Sequence, residues 1–337
     1  FYMATITSSN TLKVLSAEAM PEEVNQLQLV TKRFLRHRLA MVALVALAII
    51  FVIAALAPVI APFDPTDIAV GNDFVRPGTA AIDGSGRIHY FGTDQIGRDY
   101  WSRIIYAARI SLLVALIAQT ISTVIGVIVG ATAGYLGGPV DAVAMRFVEF
   151  LLTIPQLPLL LIISSLLIQN KDALPIPEFL RNFVAWLLII RSDNATQVIM
   201  VIAILSGFGW LGSSRLIRGV VLSLREQTFT EASRALGASD ARIVFSHMIP
   251  NAMAPMIVSA TLGLSGLIIT EAALSFLGLG IQDPTPTWGN MLASAQSYMF
   301  LYPWLPLMSG TPIFLCSLAF NFVGDGLRDA LDPRLKL

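Results

Sequence analysis

An all-α integral membrane protein with six transmembrane helices is the fold class that this sequence predicts. Three observations carry it. Only 13% of the 337 residues are charged while 55% are hydrophobic, against about 25% charged in an average soluble domain. The missing charge is concentrated in long uncharged runs, and a helix needs roughly 20 apolar residues to cross a bilayer. Six runs of that kind occur, over about 39–61, 110–134, 149–169, 195–214, 252–277 and 303–324.

Residues 1–38 are polar and end in the basic cluster Lys32, Arg33, Arg36 and Arg38. No basic segment runs directly into a short apolar core at Phe1-Tyr2-Met3, so the start reads as a tail rather than a signal peptide. Cationic loops favour the cytoplasmic side. With the tail inside, Arg215, Arg218, Arg225, Arg234 and Arg242 also fall inside, together with most of the 22 basic residues. The expected layout is a cytoplasmic tail over 1–38, a first span over 39–61 and an extracytoplasmic loop over 62–109. A core over 110–324 follows, with five spans and a cytoplasmic loop over 215–250. A cytoplasmic tail over 325–337 ends the chain.

Within the second span, Gly126, Gly130 and Gly134 recur every four residues on one helix face. That spacing permits close backbone packing, against another span or a partner subunit. Pro155 and Pro158 at the start of the third span are positioned to kink it. Residues 183–190 are apolar but too short to cross and are flanked by Arg181 and Arg191, which suits an interfacial helix. They lie in 170–194, an extracytoplasmic insertion that either modifies docking of a partner or is neutral. Carboxylates in hydrocarbon are costly. Glu149 follows Arg146 at i,i+3 spacing and can pair with it. Glu271 stands isolated in the fifth span; it either faces a transport pathway or bonds partner helices, with a structural role favoured. Trp288, Tyr298, Tyr302 and Trp304 suit anchoring at the bilayer interface.

Several chemistries are excluded. Net charge is zero, so binding to nucleic acid has no electrostatic support. The single cysteine, Cys316, cannot form a disulfide within the chain, and with three scattered histidines it offers no zinc site. No Gly-x-x-x-x-Gly-Lys-Ser/Thr sequence occurs, so the chain is not expected to hydrolyse ATP.

The 215–250 loop holds Glu231-Ala232-Ser233-Arg234-Ala235-Leu236-Gly237-Ala238 and later His247-Met248-Ile249-Pro250. A short helix fits before Gly237, which suits the left-handed residue that ends a helix. Ser239 or Asp240 can cap a second helix running to a break at Pro250. These residues resemble the EAA loop of ABC importer permeases, with Ser233 in place of the second Ala and Ile249 in place of Leu. The block Phe91-Gly92-Thr93-Asp94-Gln95-Ile96-Gly97-Arg98-Asp99, then Ser102-Arg103 and Arg109-Ile110-Ser111-Leu112, resembles the C-type permease subunit of oligopeptide and dipeptide importers. Its charges read as a structured loop held by ion pairs, with Asp99 and Arg103 spaced to pair, rather than as a metal or catalytic cluster. The stretches from Glu271 to Gly289 and from Asn321 to Arg334 resemble the same family, so the likeness covers about 32–165 and 195–335.

The resemblance implies a type I ABC importer permease of a bacterial inner membrane that moves peptides into the cytoplasm. It implies that Glu231, Ala232, Ser233, Ala235, Leu236, Gly237 and Ala238 couple the chain to an ATPase. The implied partners are a homologous second permease, two cytosolic ATPases that hold ATP and Mg, and an extracytoplasmic peptide-binding protein. No cofactor is expected in this chain. Nickel importers share the scaffold, so a nickel chelate is the alternative cargo; a secondary transporter or channel is the alternative class.

Overall fold

The computed structural model describes residues 26–81, 86–170 and 174–332; Phe1 to Met3 and most of the first tail lie outside them. Helix α1 (Gln26–Arg36) leads into the first span, α2 (Arg38–Ala55), whose start is capped by the His37 ring. The expected span to residue 61 is shorter: α2 stops at Ala55, and Pro58 sits in the first turn of a separate helix, α3 (Ala57–Ile60). A proline there starts a helix without losing a bond.

The 62–99 segment contains a two-stranded antiparallel ribbon, β1 (Thr79–Ala80) with β2 (Ile88–His89), which the all-helical expectation lacked. The second span, α4 (Tyr100–Leu136), begins ten residues earlier than expected because Asp99 caps it, accepting from the Ser102 N–H at 2.8 Å. Arg103 and Arg109 therefore lie inside the helix. Arg109 is satisfied by two carbonyls, Leu187 O at 2.8 Å and Ala55 O at 3.2 Å.

The third span is two helices, α5 (Gly138–Thr153) and α6 (Gln156–Gln169), bent by 88° at Ile154 and Pro155. The kink expected there is thus a full break. Helix α7 (Glu178–Leu188) starts earlier than the expected 183–190 helix and ends before it does, with Ile189 in the left-handed conformation; Val184, Ala185 and Leu188 are buried, while Phe179, Phe183 and Trp186 face outward. The fourth span, α8 (Ser192–Arg225), continues well past residue 214, so Arg215, Arg218 and Arg225 belong to a helix rather than to a loop. The helix continues because Ile217 and Val221 are buried on its inner face, and Arg218 is paired, its Nη2 donating to Asp141 at 2.6 Å. The expected Arg146–Glu149 pair does not form among the described ion pairs; Asp141 and not Glu149 is the carboxylate in contact with the basic helix.

Short helices α9 (Thr228–Ala235), α10 (Asp240–Ile243) and α11 (Ile249–Asn251) precede the fifth span, α12 (Met253–Phe276). Helix α13 (Trp288–Gln296) and the sixth span, α14 (Trp304–Leu331), complete the described chain. Among the described residues, five helices, or six spans with the bent pair, are long and apolar enough to cross a membrane.

The glycine stripe explains the central contact. A Cβ on Gly126 would lie 2.8 Å from the Ser213 Cβ and one on Gly134 2.9 Å from the Arg218 carbonyl, while one on Gly130 would collide with the Ser214 carbonyl. The stripe thus packs on α8 of the same chain, and the rising numbers on both sides make α4 and α8 parallel. Helix α14 runs back along α12, with Ser265 Oγ and Ser317 Oγ 2.7 Å apart. The helix α1 closes on its end, Arg33 donating to the Asp332 carbonyl at 2.9 Å.

Candidate functional site

Alternating spans give the molecule two ends. One holds 56–99, α7 and 277–303; the other holds α1, Gly137 and 226–252. The candidate site is at the second end.

Gln227 starts α9, and Thr230, fully buried, anchors it by donating its hydroxyl to the Leu224 carbonyl at 2.8 Å. With Thr230 facing in, Glu231, Ala232, Ala235 and Leu236 face out, Leu236 at 89% exposure. Ser233 is half-buried and bonds the Phe229 carbonyl of its own helix. Gly237 has φ of 80°, the left-handed conformation that costs other residues about 1–2 kcal/mol. Its turn lets the Ala238 N–H reach back to the Ser233 carbonyl at 3.1 Å, closing the helix end. Ala238 itself packs inward.

Ser239 caps α10, its Oγ accepting from the Arg242 N–H. The second helix does not stop at Pro250. A π turn over Val244–Met248 precedes it, and Pro250 lies inside α11, with the break at Ala252. The wider π ring accommodates a prolyl ring that would clash with the preceding turn of a regular helix. Ile243 and Met248 are buried against Val127, Ala131, Tyr135, Ile217 and Val221 of α4 and α8. Tyr135 adds a polar tie: its hydroxyl donates to Asp240 at 2.6 Å, and the Arg234 guanidinium lies 5.2 Å from its ring centre. Thus a short exposed helix is bolted to the far ends of the two central helices. Tyr135, Thr230 and the π turn escaped sequence reasoning, because Tyr135 is 105 residues away from its partner and no local pattern links them.

Glu271 is fully buried, its Oε1 accepting from the Ser275 hydroxyl at 2.8 Å. Ser111 and Thr287 line the same place, so in this conformation the carboxyl faces the chain's own α4 and the 281–287 turn, not an open pathway.

At the first end, charges expected to hold a loop do so with different partners. Asp99 does not pair with Arg103. It is occupied by the first turn of α4 and by His89 Nδ1 at 2.8 Å. Arg103 instead reaches Asp283 at 2.7 Å, and Arg98 joins Asp94 at 2.6 Å and Asp283 at 3.1 Å. Partial burial raises the Asp283 carboxyl, but Arg103 and Arg98 outweigh it and hold the group below the usual carboxylate range. The aromatic residues are not interface anchors as a set. Trp288 is 1% exposed and donates to the Ile104 carbonyl, and Tyr302 stacks on Phe74 with centroids 4.2 Å apart.

The family model described as the binding-protein-dependent transport system inner membrane component matches residues 122–337. The chain belongs to this family. The N-terminal TM domain of oligopeptide transport permease C matches residues 25–77. Over 314 residues the chain is 34% identical to the oligopeptide transport system permease protein OppC of Mycobacterium tuberculosis, covering 93% of this chain and 97% of the relative. The dipeptide transport system permease protein DppC of Haemophilus influenzae is 37% identical over 303 residues, 90% and 93% of the two chains. A putative peptide permease protein of Brucella suis is 36% identical over 322 residues, 95% of each. The chain is therefore a multi-pass inner-membrane transport subunit, which sets aside the channel and secondary-transporter alternatives.

Proposed function

We propose that this chain is the permease subunit of an ATP-driven importer of peptides, with its termini and the 226–252 segment in the cytoplasm. The peptide cargo is taken from the relatives, whose names describe oligopeptide and dipeptide permeases. The observation that carries the coupling role is the outward face of α9. Glu231, Ala232, Ala235 and Leu236 project from a helix and its end turn that are tied to α8 by the Thr230–Leu224 hydrogen bond and to α4 by Arg234 over Tyr135. A force on that face moves the ends of two spans together, the rigid-body kind of switch.

The partners in this reading are a homologous second permease, two cytosolic ATPases that bind ATP and Mg, and an extracytoplasmic peptide-binding protein. This chain needs no cofactor of its own. ATP-driven closure of the ATPases pushes α9 and alternates the pathway between inward-open and outward-open forms. The test is uptake against ATP hydrolysis in vesicles holding the assembled complex. Gly237→Val and Glu231→Lys are each expected to abolish peptide uptake while ATP hydrolysis continues. Unchanged uptake in both variants would overturn the assignment of α9 as the coupling element.

A further inference from the structure

In hydrocarbon, an interrupted helix is tolerated only where its loose backbone is buried in protein or borders water. The break between α5 and α6 leaves much of its backbone loose. Ile154 N–H reaches only the Leu151 carbonyl at 3.3 Å, Thr153 Oγ1 donates to the Phe150 carbonyl at 2.7 Å, and Leu159 N–H reaches Pro155 at 3.3 Å. The carbonyls of Leu152, Thr153 and Ile154 and the N–H groups of Gln156 and Leu157 have no partner among the described residues. The Gln156 side chain is exposed at the same point.

The break borders a cavity of about 470 Å³, closed on the far side by Phe208 and Gly212 of α8. Gly212 is three residues before Arg215, so at 1.5 Å per residue that wall lies in the half of the span nearer the 226–252 end, about 5 Å inside the first arginine. Ligand pockets run from roughly 300 to 1,000 Å³, so the space suits a few residues of peptide. An added Cβ at Gly212 would meet nothing within 4 Å, so the wall is left low without any packing need for glycine.

We propose that the α5–α6 break and the facing α8 wall form a subsite for the main chain of the transported peptide, an assignment that rests on the peptide-import reading above. An extended peptide leaving water carries carbonyl and N–H groups that each require a partner. Among the residues lining the cavity, the break supplies acceptors of the same kind at Leu152, Thr153 and Ile154 and a donor at Gln156, between the apolar walls of Leu151, Leu159 and Phe208. Recognition through main-chain groups ignores side-chain identity, which suits a cargo of varied sequence.

The test uses the complete transporter in vesicles. The native Cys316 is buried, so Thr153→Cys and Gln156→Cys supply the accessible thiols, and Phe147→Cys, exposed on α5, serves as the control. A water-soluble maleimide is expected to label positions 153 and 156. A peptide that the same vesicles import is expected to slow that labelling about tenfold, leaving about a tenth of the sites free, and to leave position 147 unaffected. Gly212→Phe, which fills the cavity, is expected to cut uptake at least about tenfold with assembly and ATP hydrolysis retained. Peptide-insensitive or absent labelling in vesicles that import peptide overturns the subsite, as does full uptake by Gly212→Phe. Failure of an assembled, ATP-hydrolysing wild-type complex to import any peptide would instead overturn the import reading.

Discussion

The two ends of the molecule handle charge in opposite ways. At the 56–99 end, Asp94, Asp99, Arg98 and Arg103 are each under 5% exposed and satisfy one another, His89 and Asp283. At the 226–252 end, Glu231, Arg234, Asp240 and Arg242 all face solvent, beside an apolar Leu236 that none of the described residues covers. Buried charges are costly unless fully paired, so the first end is stiff and intolerant of change. Exposed charges contribute little to stability, so the second end is free to be shaped by contact with another molecule. One end is built to hold its form and the other to be pushed.

That contrast can be broken by mutation. Arg103→Met removes a nearly buried guanidinium from Asp283 and the Pro65 carbonyl. It is expected to destabilise the protein by about 3–4 kcal/mol, toward the lower part of the range for buried pairs because Asp283 is 42% exposed. Thermal unfolding of the purified complex reads it, and an unchanged midpoint would show that the network is dispensable. Gly130→Leu forces apart α4 and α8, the frame both ends share, and is expected to cost about 3 kcal/mol or prevent accumulation of folded protein; a stable variant would show that α8 can retreat.

Acid should act on one end before the other. The Asp283 carboxyl is depressed by Arg103 and Arg98. Its contribution is therefore fully present above the ordinary carboxylate range and is lost as pH falls through its lowered folded value. Hydrogen-exchange protection at 282–287, taken relative to the intrinsic rate at each pH, is expected to fall once the pH drops below the ordinary carboxylate range while protection at 228–236 stays flat, and Asp283→Asn should remove that pH dependence. Equal responses at both ends would erase the distinction. The smallest effect on stability, within about 0.5 kcal/mol, is expected for Leu236→Ser, which removes an exposed side chain. Uptake should nevertheless fall severely; retained uptake with unchanged stability would mean that Leu236 touches nothing in the working complex.

Span positions were legible because uninterrupted apolar runs are a local property. Ends were not, since a helix ends where its caps and partners are. Asp99 caps α4 ten residues before its apolar stretch, and buried Ile217 and Val221 carry α8 past its own, with Arg218 paired to Asp141. The Asp99–Arg103 pairing failed for the same reason. A four-residue spacing permits the contact, but the cap claims the carboxylate and a loop 180 residues away supplies the arginine's partner.

By itself the sequence determined the membrane class, the family likeness, the place of the exposed α9 segment and the turn at Gly237, because hydrophobic length, short motifs and glycine's left-handed freedom are all written locally. The tertiary structure alone decided which face the glycine stripe meets, how Tyr135 and Thr230 fasten α9, that Glu271 points into its own chain, and that the third span breaks open beside a cavity. Each of those depends on residues far apart in sequence and brought together only by packing, where a choice among sterically allowed partners is made by whatever else must also be buried.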